Sequence, residues 1–253
     1  MSSWSNFKSA SQRARIFSEE WIAQHFHCPV CAGAVEKTPN NTAAKDFVCP
    51  RCGDPFEVKS RKGVFGSIIP NGAYDSMLAS IRSAQRPNLV LMSYTPDYQV
   101  KELTAIPSRF LVEQIVLPRK PLGAHCRRAG WRGCNLNIGM LPPEGRIPYV
   151  RGFRQLPFNE INRAWTASDF LDDVRAISRG WLALTMGLVH KLGRSQFSLE
   201  ELYKLESVAA QIFPKNANVR AKLQQQLQRL RDLGWLEFEG KGRYRVLGGR
   251  ELQ

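Results

Sequence analysis

The sequence predicts two units. Residues 1–177 form a mixed α/β core, in the α+β sense, with a four-cysteine site embedded near its start, and residues 178–253 form a small three-helix unit closed by a hairpin. Three observations carry this reading. Strand-length and helix-length apolar patterns follow one another through the first two thirds of the chain, as in a sheet flanked by helices. Two pairs, Cys28-Pro29-Val30-Cys31 and Cys49-Pro50-Arg51-Cys52, have the spacing of a four-thiolate zinc site, in which each knuckle offers two sulfurs to one tetrahedral ion. From residue 178 onward, three helical patterns precede two short strands joined by Gly240-Lys241-Gly242. At 253 residues there is material for one large or two ordinary domains.

Residues 9–26 suit a helix, since Phe17 and Trp21, then Ile22 and Phe26, recur four apart. Glu19 and Glu20 lie on it and are read as its solvated face. His25 and His27 flank the first knuckle, but four cysteines already complete a tetrahedron. Asp46-Phe47-Val48 and Phe56-Glu57-Val58-Lys59 read as two strands joined by the cysteine-rich turn. Paired as a hairpin, they set Asp46 opposite Glu57. The two-residue strand period then puts Glu57 and Lys59 on one face, with Phe56 and Val58 on the other. Ser60-Arg61-Lys62-Gly63 follows as a basic turn. A second helix is expected over 72–85 with Tyr74, Met77, Leu78 and Ile81 inward, stopped by Pro87. Residues 88–95 are a strand, and Val100 with Leu103 marks its neighbour. Residues 114–143 contain Arg119, Lys120, Arg127, Arg128 and Arg132 and no acidic residue, and read as a long loop. Residues 152–173 read as a connector.

In the second unit, residues 181–192 form an apolar helix. Ser198-Leu199-Glu200-Glu201 is a capping box that starts a second helix running to about residue 213. Pro214-Lys215-Asn216 breaks it. A third helix covers 218–233 with Val219, Leu223, Leu227 and Leu230 inward, and Gly234 ends it. Three helices followed by a glycine-basic hairpin describe a winged helix.

Charge narrows the partners. The 36 Lys and Arg against 22 Asp and Glu give +14, an excess that favours a polyanion, with nucleic acid first and a membrane surface second. No apolar run approaches the ~20 residues a bilayer span needs, and the N-terminus lacks a signal-peptide core, so a cytoplasmic protein with no membrane partner is expected. Cys126 and Cys134, outside the knuckles, are expected as free thiols. With DNA as partner, Lys62 is placed to touch a phosphate. Arg127, Arg128 and Arg132 surround Trp131, which is either a wedge for a base step or a buried anchor of the loop. Lys215 in the break and Asn218 at the start of the third helix are further candidate contacts, Arg220, Lys222, Gln224, Gln225 and Arg229 are the outward positions of that helix, and Lys241, Arg243 and Arg245 belong to the wing.

Asp46 and Glu57, with the Val58 carbonyl, are hard oxygen donors suited to Mg²⁺, and Lys59 stands where it can orient a nucleophile. Asp46, ten intervening residues, then Glu57-Val58-Lys59 resembles the PD-(D/E)xK nuclease pattern, with Lys45 in place of its proline. Over almost the whole chain, the sequence resembles the DpnI-like methyl-directed Type II restriction endonucleases. The likeness is carried by the cysteine knuckles, the run 56–63, Asn71-Gly72-Ala73-Tyr74, the run 127–135, Ser178-Arg179-Gly180-Trp181, Phe213-Pro214-Lys215-Asn216 and Gln225-Gln226-Leu227-Gln228. That resemblance implies a catalytic set of Asp46, Glu57 and Lys59, a working Mg²⁺ and a structural Zn²⁺. It also implies blunt Mg²⁺-dependent cleavage of double-stranded DNA at GATC carrying N6-methyladenine, read by a nuclease core and a winged helix, in a bacterial protein taken to act as a monomer. The competing readings are a zinc-containing DNA-binding regulator that does not cut, and a nuclease of unrelated specificity.

Overall fold

The computed structural model describes residues 9–39, 45–83 and 85–247. The chain enters as α1 (Ala10–His25), which lays Phe17, Ser18 and Ile22 into the core. Two-residue strands β1 (Glu36–Lys37) and β2 (Phe47–Val48) lead into the long β3 (Pro55–Lys62). Then come β4 (Ile68–Ala73), α2 (Tyr74–Arg82), β5 (Asn88–Tyr94) and β6 (Val100–Ile106). After β7 (Val116–Pro118) and β8 (Gly133–Asn137), the core closes with β9 (Ile147–Arg151), β10 (Arg154–Gln155) and α3 (Phe158–Thr166).

The strands make a seven-stranded sheet of order β1-β2-β3-β5-β6-β9-β10. Its β3–β5 pair is parallel and the other pairs are antiparallel. All seven residues of β5 are buried, as expected of a central strand covered on both faces. The strand period divides them: Leu89 and Leu91 join one apolar cluster, and Val90, Met92 and Tyr94 join the other. On the second side lie α1, α3 and the cysteine knuckles. On the first side pack α2 and a separate three-stranded sheet, β4-β8-β7.

Three expectations are corrected here. The helix expected over 72–85 begins only at Tyr74, because residues 68–73 pair with β8; Ser83, in extended geometry, ends it. The long basic loop is a hairpin whose flanks are β7 and β8, with residues 119–132 as its tip. Residues 152–173 are no connector. Ile161 and Trp165 of α3 are buried, and Arg109, 3% exposed, donates to Ser168 Oγ (2.9 Å), Asp172 Oδ2 (2.7 Å) and the Trp165 carbonyl, with Asp169 at 3.0 Å. A buried guanidinium satisfied on every side fixes that segment to the core.

The C-terminal unit starts with α4 (Ala176–Lys191), ten of whose sixteen residues are buried. A helix apolar on all sides belongs inside a molecule, and α4 lies between the core and the rest of the C-terminal unit. Next are β11 (Gln196–Ser198), α5 (Leu199–Tyr203), α6 (Glu206–Ile212), α7 (Val219–Asp232), β12 (Leu236–Gly240) and β13 (Arg243–Val246). The Ser198–Glu201 capping box forms, but the single helix expected after it is split at Lys204 and Leu205 into α5 and α6. Strand β11 pairs with β13, giving a three-stranded sheet of order β11-β13-β12. The apolar cluster on the α2 side continues through Trp181, Leu188, Leu223 and Trp235, so the core and this unit share one buried interior.

Candidate active site and metal centre

The knuckles repeat one local geometry. Ala32 N–H bonds Cys28 O (2.9 Å) and Gly53 N–H bonds Cys49 O (2.8 Å), each turn closing on a residue of positive φ, 57° at Ala32 and 81° at Gly53. The four Sγ atoms lie within 4.8 Å of one another, with Cys28 to Cys52 at 3.5 Å and Cys31 to Cys49 at 3.4 Å. Zn–S bonds of about 2.3 Å in a tetrahedron need sulfurs about 3.8 Å apart, which these separations bracket. Burial pushes the Cys28 thiol well up and the Cys52 thiol up to about 11, while backbone N–H groups of Val30, Cys31 and Asp54 pull the other way. For Cys31 the Gly33 N–H dominates and the thiol falls below its ordinary value. Backbone donors aimed at these sulfurs serve thiolates, and a divalent cation supplies the charge that makes thiolates stable there. The residues therefore fit a metal such as zinc. His25 instead packs its ring at a tilt against Trp21, centroids 4.9 Å apart, and the His27 backbone bridges to Ala34.

Immediately beyond the knuckles, Phe47 pairs with Phe56 and Val48 with Pro55, and Asp46 N–H bonds Phe56 O (2.9 Å). That register sets Asp46 opposite Glu57. Asp46 Oδ2 accepts from Val58 N–H at 2.7 Å, and Lys59 Nζ meets Glu57 Oε1 at 2.6 Å. Two carboxylates and an ammonium thus stand on adjacent strands beside the metal-knuckle turn. Glu57 is 8% exposed and the Lys59 side chain 30%, so the carboxylate is held inside while the ammonium reaches the surface. Glu19 is not part of this group, being taken by Arg15 (2.7 Å) and Lys37 (2.6 Å).

The wall of the site comes from residues that the sequence did not place beside Glu57 and Lys59. Cys134 of β8 is fully buried, its thiol raised first by burial, then lowered by Arg119, raised by Glu57 and lowered by Lys59. Glu57 pairs with Leu89 and Lys59 with Leu91, and those leucines share an apolar cluster with Cys134 and Leu136, so β8 lies on the Glu57 and Lys59 side of the sheet. Arg119 lies over the Trp131 ring at 5.7 Å and donates to Asn71 O at 3.4 Å. A Cβ at Gly133 would collide with the Arg119 guanidinium, so only glycine lets that group lie across β8. Strand β4 carries Pro70 and Gly72, which read locally as a turn, and its pairing with β8 is too distant in sequence to leave a local signal.

The profile of the DpnI or Dam-replacing family matches residues 2–174. The chain belongs to the Dam-replacing family. A second profile, the Dam-replacing HTH domain, matches residues 177–246. The DpnI family is one of methyl-directed restriction endonucleases, and its helix-turn-helix domain implies DNA binding. In this Dam-replacing chain, no helix among the described residues is long and apolar enough to cross a membrane.

The sequence-predicted DNA contacts of this family member fall into two groups. Exposed Lys62 ends β3, exposed Arg127 and Arg128 sit at the β7–β8 tip, Lys215 and Asn218 precede α7, and Lys241 and Arg243 are exposed at the β12–β13 turn. Others are already engaged within the chain. Trp131 is half-buried beneath Arg119, and Arg132 lies over Tyr74 (4.4 Å) with Asp75 at 3.3 Å. Arg220 is clamped by Glu206 and covers Tyr203, while Lys222 donates to Gln225 (2.8 Å) and the Tyr203 hydroxyl to Gln224 (3.5 Å). Arg245 is held by Glu237 (2.5 Å) and Glu239 (3.1 Å), so the expected backbone contact from the wing falls to Lys241 and Arg243.

Proposed function

We propose that this chain is a Type II methyl-directed endonuclease that hydrolyses phosphodiesters of double-stranded DNA at GATC bearing N6-methyladenine. It cuts both strands blunt, between the methylated adenine and thymine, acting as a monomer in the bacterial cytoplasm. Residues 1–177 form the PD-(D/E)xK nuclease domain, and residues 178–253 the winged helix whose α7 enters the major groove. The observation that carries the reading is the meeting of Asp46, Glu57 and Lys59 across the β2–β3 pair.

Two carboxylates opposite one another, with the Val58 carbonyl next after Glu57 in sequence, fit a Mg²⁺ ion, which takes few protein oxygens and keeps its waters. Held by Asp46, Glu57 and the Val58 carbonyl, such an ion would supply polarisation of a phosphate and a lowered pKa for water. The chain's own part is positional. The Val58 N–H fixes one Asp46 oxygen, and Glu57 steers the Lys59 ammonium to the site, where it orients the attacking water and offsets charge on the phosphate in the transition state. Exposed Lys62, farther along β3, neutralises a flanking phosphate.

Two readers of one mark have an energetic reason. A methyl group in an apolar pocket is worth about 1–3 kcal/mol, which gives one domain roughly 10 to 200-fold discrimination. Requiring both the core and the winged helix to sense the mark compounds the factors, protecting unmethylated host sites. The test incubates methylated and unmethylated plasmid with protein and Mg²⁺. The proposal predicts blunt cuts at GATC in the methylated plasmid alone. A non-cutting regulator leaves both intact, and a nuclease of unrelated specificity cuts both.

A further inference from the structure

The β9–β10 turn is built against local preference. Arg151 pairs directly with Arg154, leaving Gly152 and Phe153 as the two central residues. Their φ values are 54° and 67°. A tight hairpin turn with positive φ at both centres favours Asn-Gly or Gly-Gly, and a bulky side chain in the left-handed region is strained. Like charges directly opposite across a strand pair repel as well. Neither arginine has an ion-pair partner among the described residues, both are exposed, and Phe153 is 53% exposed. The neighbouring strand nevertheless pins the tip. Phe153 N–H bonds Lys101 O and Gly152 N–H bonds Glu102 Oε1, both at 3.0 Å, so the adjacent carboxylate is spent on backbone rather than on either guanidinium.

A strained aromatic held rigidly in water between two unneutralised arginines gains nothing for the fold, and such sites are where function is found. Its place in the sheet says what it meets. Lys62 pairs with Tyr94 and Tyr94 with Val100, beside the Lys101 carbonyl that holds the tip. The tip and the basic end of β3 therefore share one end of the sheet, about three strand spacings or roughly 14 Å apart. That span is within the width of a duplex. Lys62, Lys101, Arg151 and Arg154 are all exposed along it.

We propose that this hairpin tip is a second DNA contact of the nuclease core, with Arg151 and Arg154 on phosphates flanking the cleavage site and Phe153 packed against a base step or sugar edge. The assignment rests on the nuclease reading and adds a contact to it. Binding to methylated GATC duplexes, one ending near the site and one extended beyond it, is measured by fluorescence anisotropy across a salt series without added Mg²⁺. Wild type should prefer the extended duplex. Phe153→Gly should weaken binding to it about tenfold while melting at the wild-type temperature or above, because glycine relieves the turn. Arg151→Ala with Arg154→Ala should lower the salt slope by about two.

Unchanged affinity and salt slope in these variants overturn the contact while leaving the nuclease reading intact. A lower melting temperature with unchanged affinity would make Phe153 a packing residue and overturn it too. Loss of a dimer on sedimentation of Phe153→Gly, with DNA binding intact, would assign the tip to a protein partner instead. Wild type that binds no DNA removes the nuclease reading itself.

Discussion

Trp131 is held in place by its surroundings. Its N–H bonds Arg128 O (3.0 Å), its carbonyl accepts from Leu122 N–H (2.9 Å), and Arg119 covers the ring. An indole half-buried on the hairpin that also carries Cys134 offers a fixed apolar surface suited to a methyl group. Trp131→Ala should cut methylated GATC roughly tenfold more slowly, the worth of one apolar methyl contact, with little change in melting temperature. Initial rates on methylated and unmethylated duplexes check this, and an unaltered preference removes Trp131 from methyl sensing. At this scale the site was legible where its geometry was local. The shared face of Glu57 and Lys59 followed from the strand period, and the Asp46 register from a hairpin across the second knuckle. Arg119 was not legible, because the residues it touches, Asn71 and Trp131, reach it only through the fold.

The elements that position the site are short, and short strands need help to persist. Strands β1 and β2 have two residues each, and the cysteine cluster closes the turn that joins β2 to β3. Structural zinc contributes on the order of 10 kcal/mol in small finger peptides. Cys49→Ser, or chelation, should therefore release one metal per chain by mass spectrometry, lower the melting temperature and abolish cleavage together; a variant that keeps its activity after losing metal contradicts the clamp. In the C-terminal unit, Ser198 caps α5 through Glu201 N–H (3.3 Å), and Glu201 returns a bond from Ser198 N–H (2.8 Å). Ser198→Ala should cost about 1 kcal/mol in urea denaturation. The Ser198 backbone N–H is the main cause holding Glu201 below its ordinary 4.5, so that half of the box is present above this pH and lost as acid protonates the carboxylate. The cap was readable because its signal spans four residues. The α5–α6 split and strand β4 were not, since both helices pack on α7 and β4 pairs with β8, contacts distant in sequence.

Across the whole molecule, the core and the helix-turn-helix unit are joined by more than apolar surface. Glu144, beside β9, accepts from His190 Nε2 of α4 with both oxygens (2.9 and 3.0 Å), and from Trp235 Nε1 at 3.1 Å. The Glu144 and His190 side chains are 7% and 8% exposed. Glu144→Ala leaves two buried donors without an acceptor, which should cost about 3 kcal/mol and loosen the C-terminal unit, seen as earlier proteolysis near α4 and a lower urea midpoint. An unshifted midpoint would assign the junction to apolar packing alone. The sequence separates the two units by pattern, but this link joins residues 46 and 91 positions apart and leaves no periodic trace. The junction holds the core and the helix-turn-helix unit in a fixed relation, as the proposed simultaneous sensing of one site requires.

The proposed hydrolysis needs Asp46, Glu57 and Lys59 acting as one centre. Single-turnover cleavage of a methylated GATC duplex with Mg²⁺, measured beside binding for Asp46→Asn, Glu57→Gln and Lys59→Ala, tests it most directly. The prediction is a loss of at least ~10³-fold in cleavage for each variant with wild-type binding retained. Any of the three cutting at the wild-type rate would contradict it.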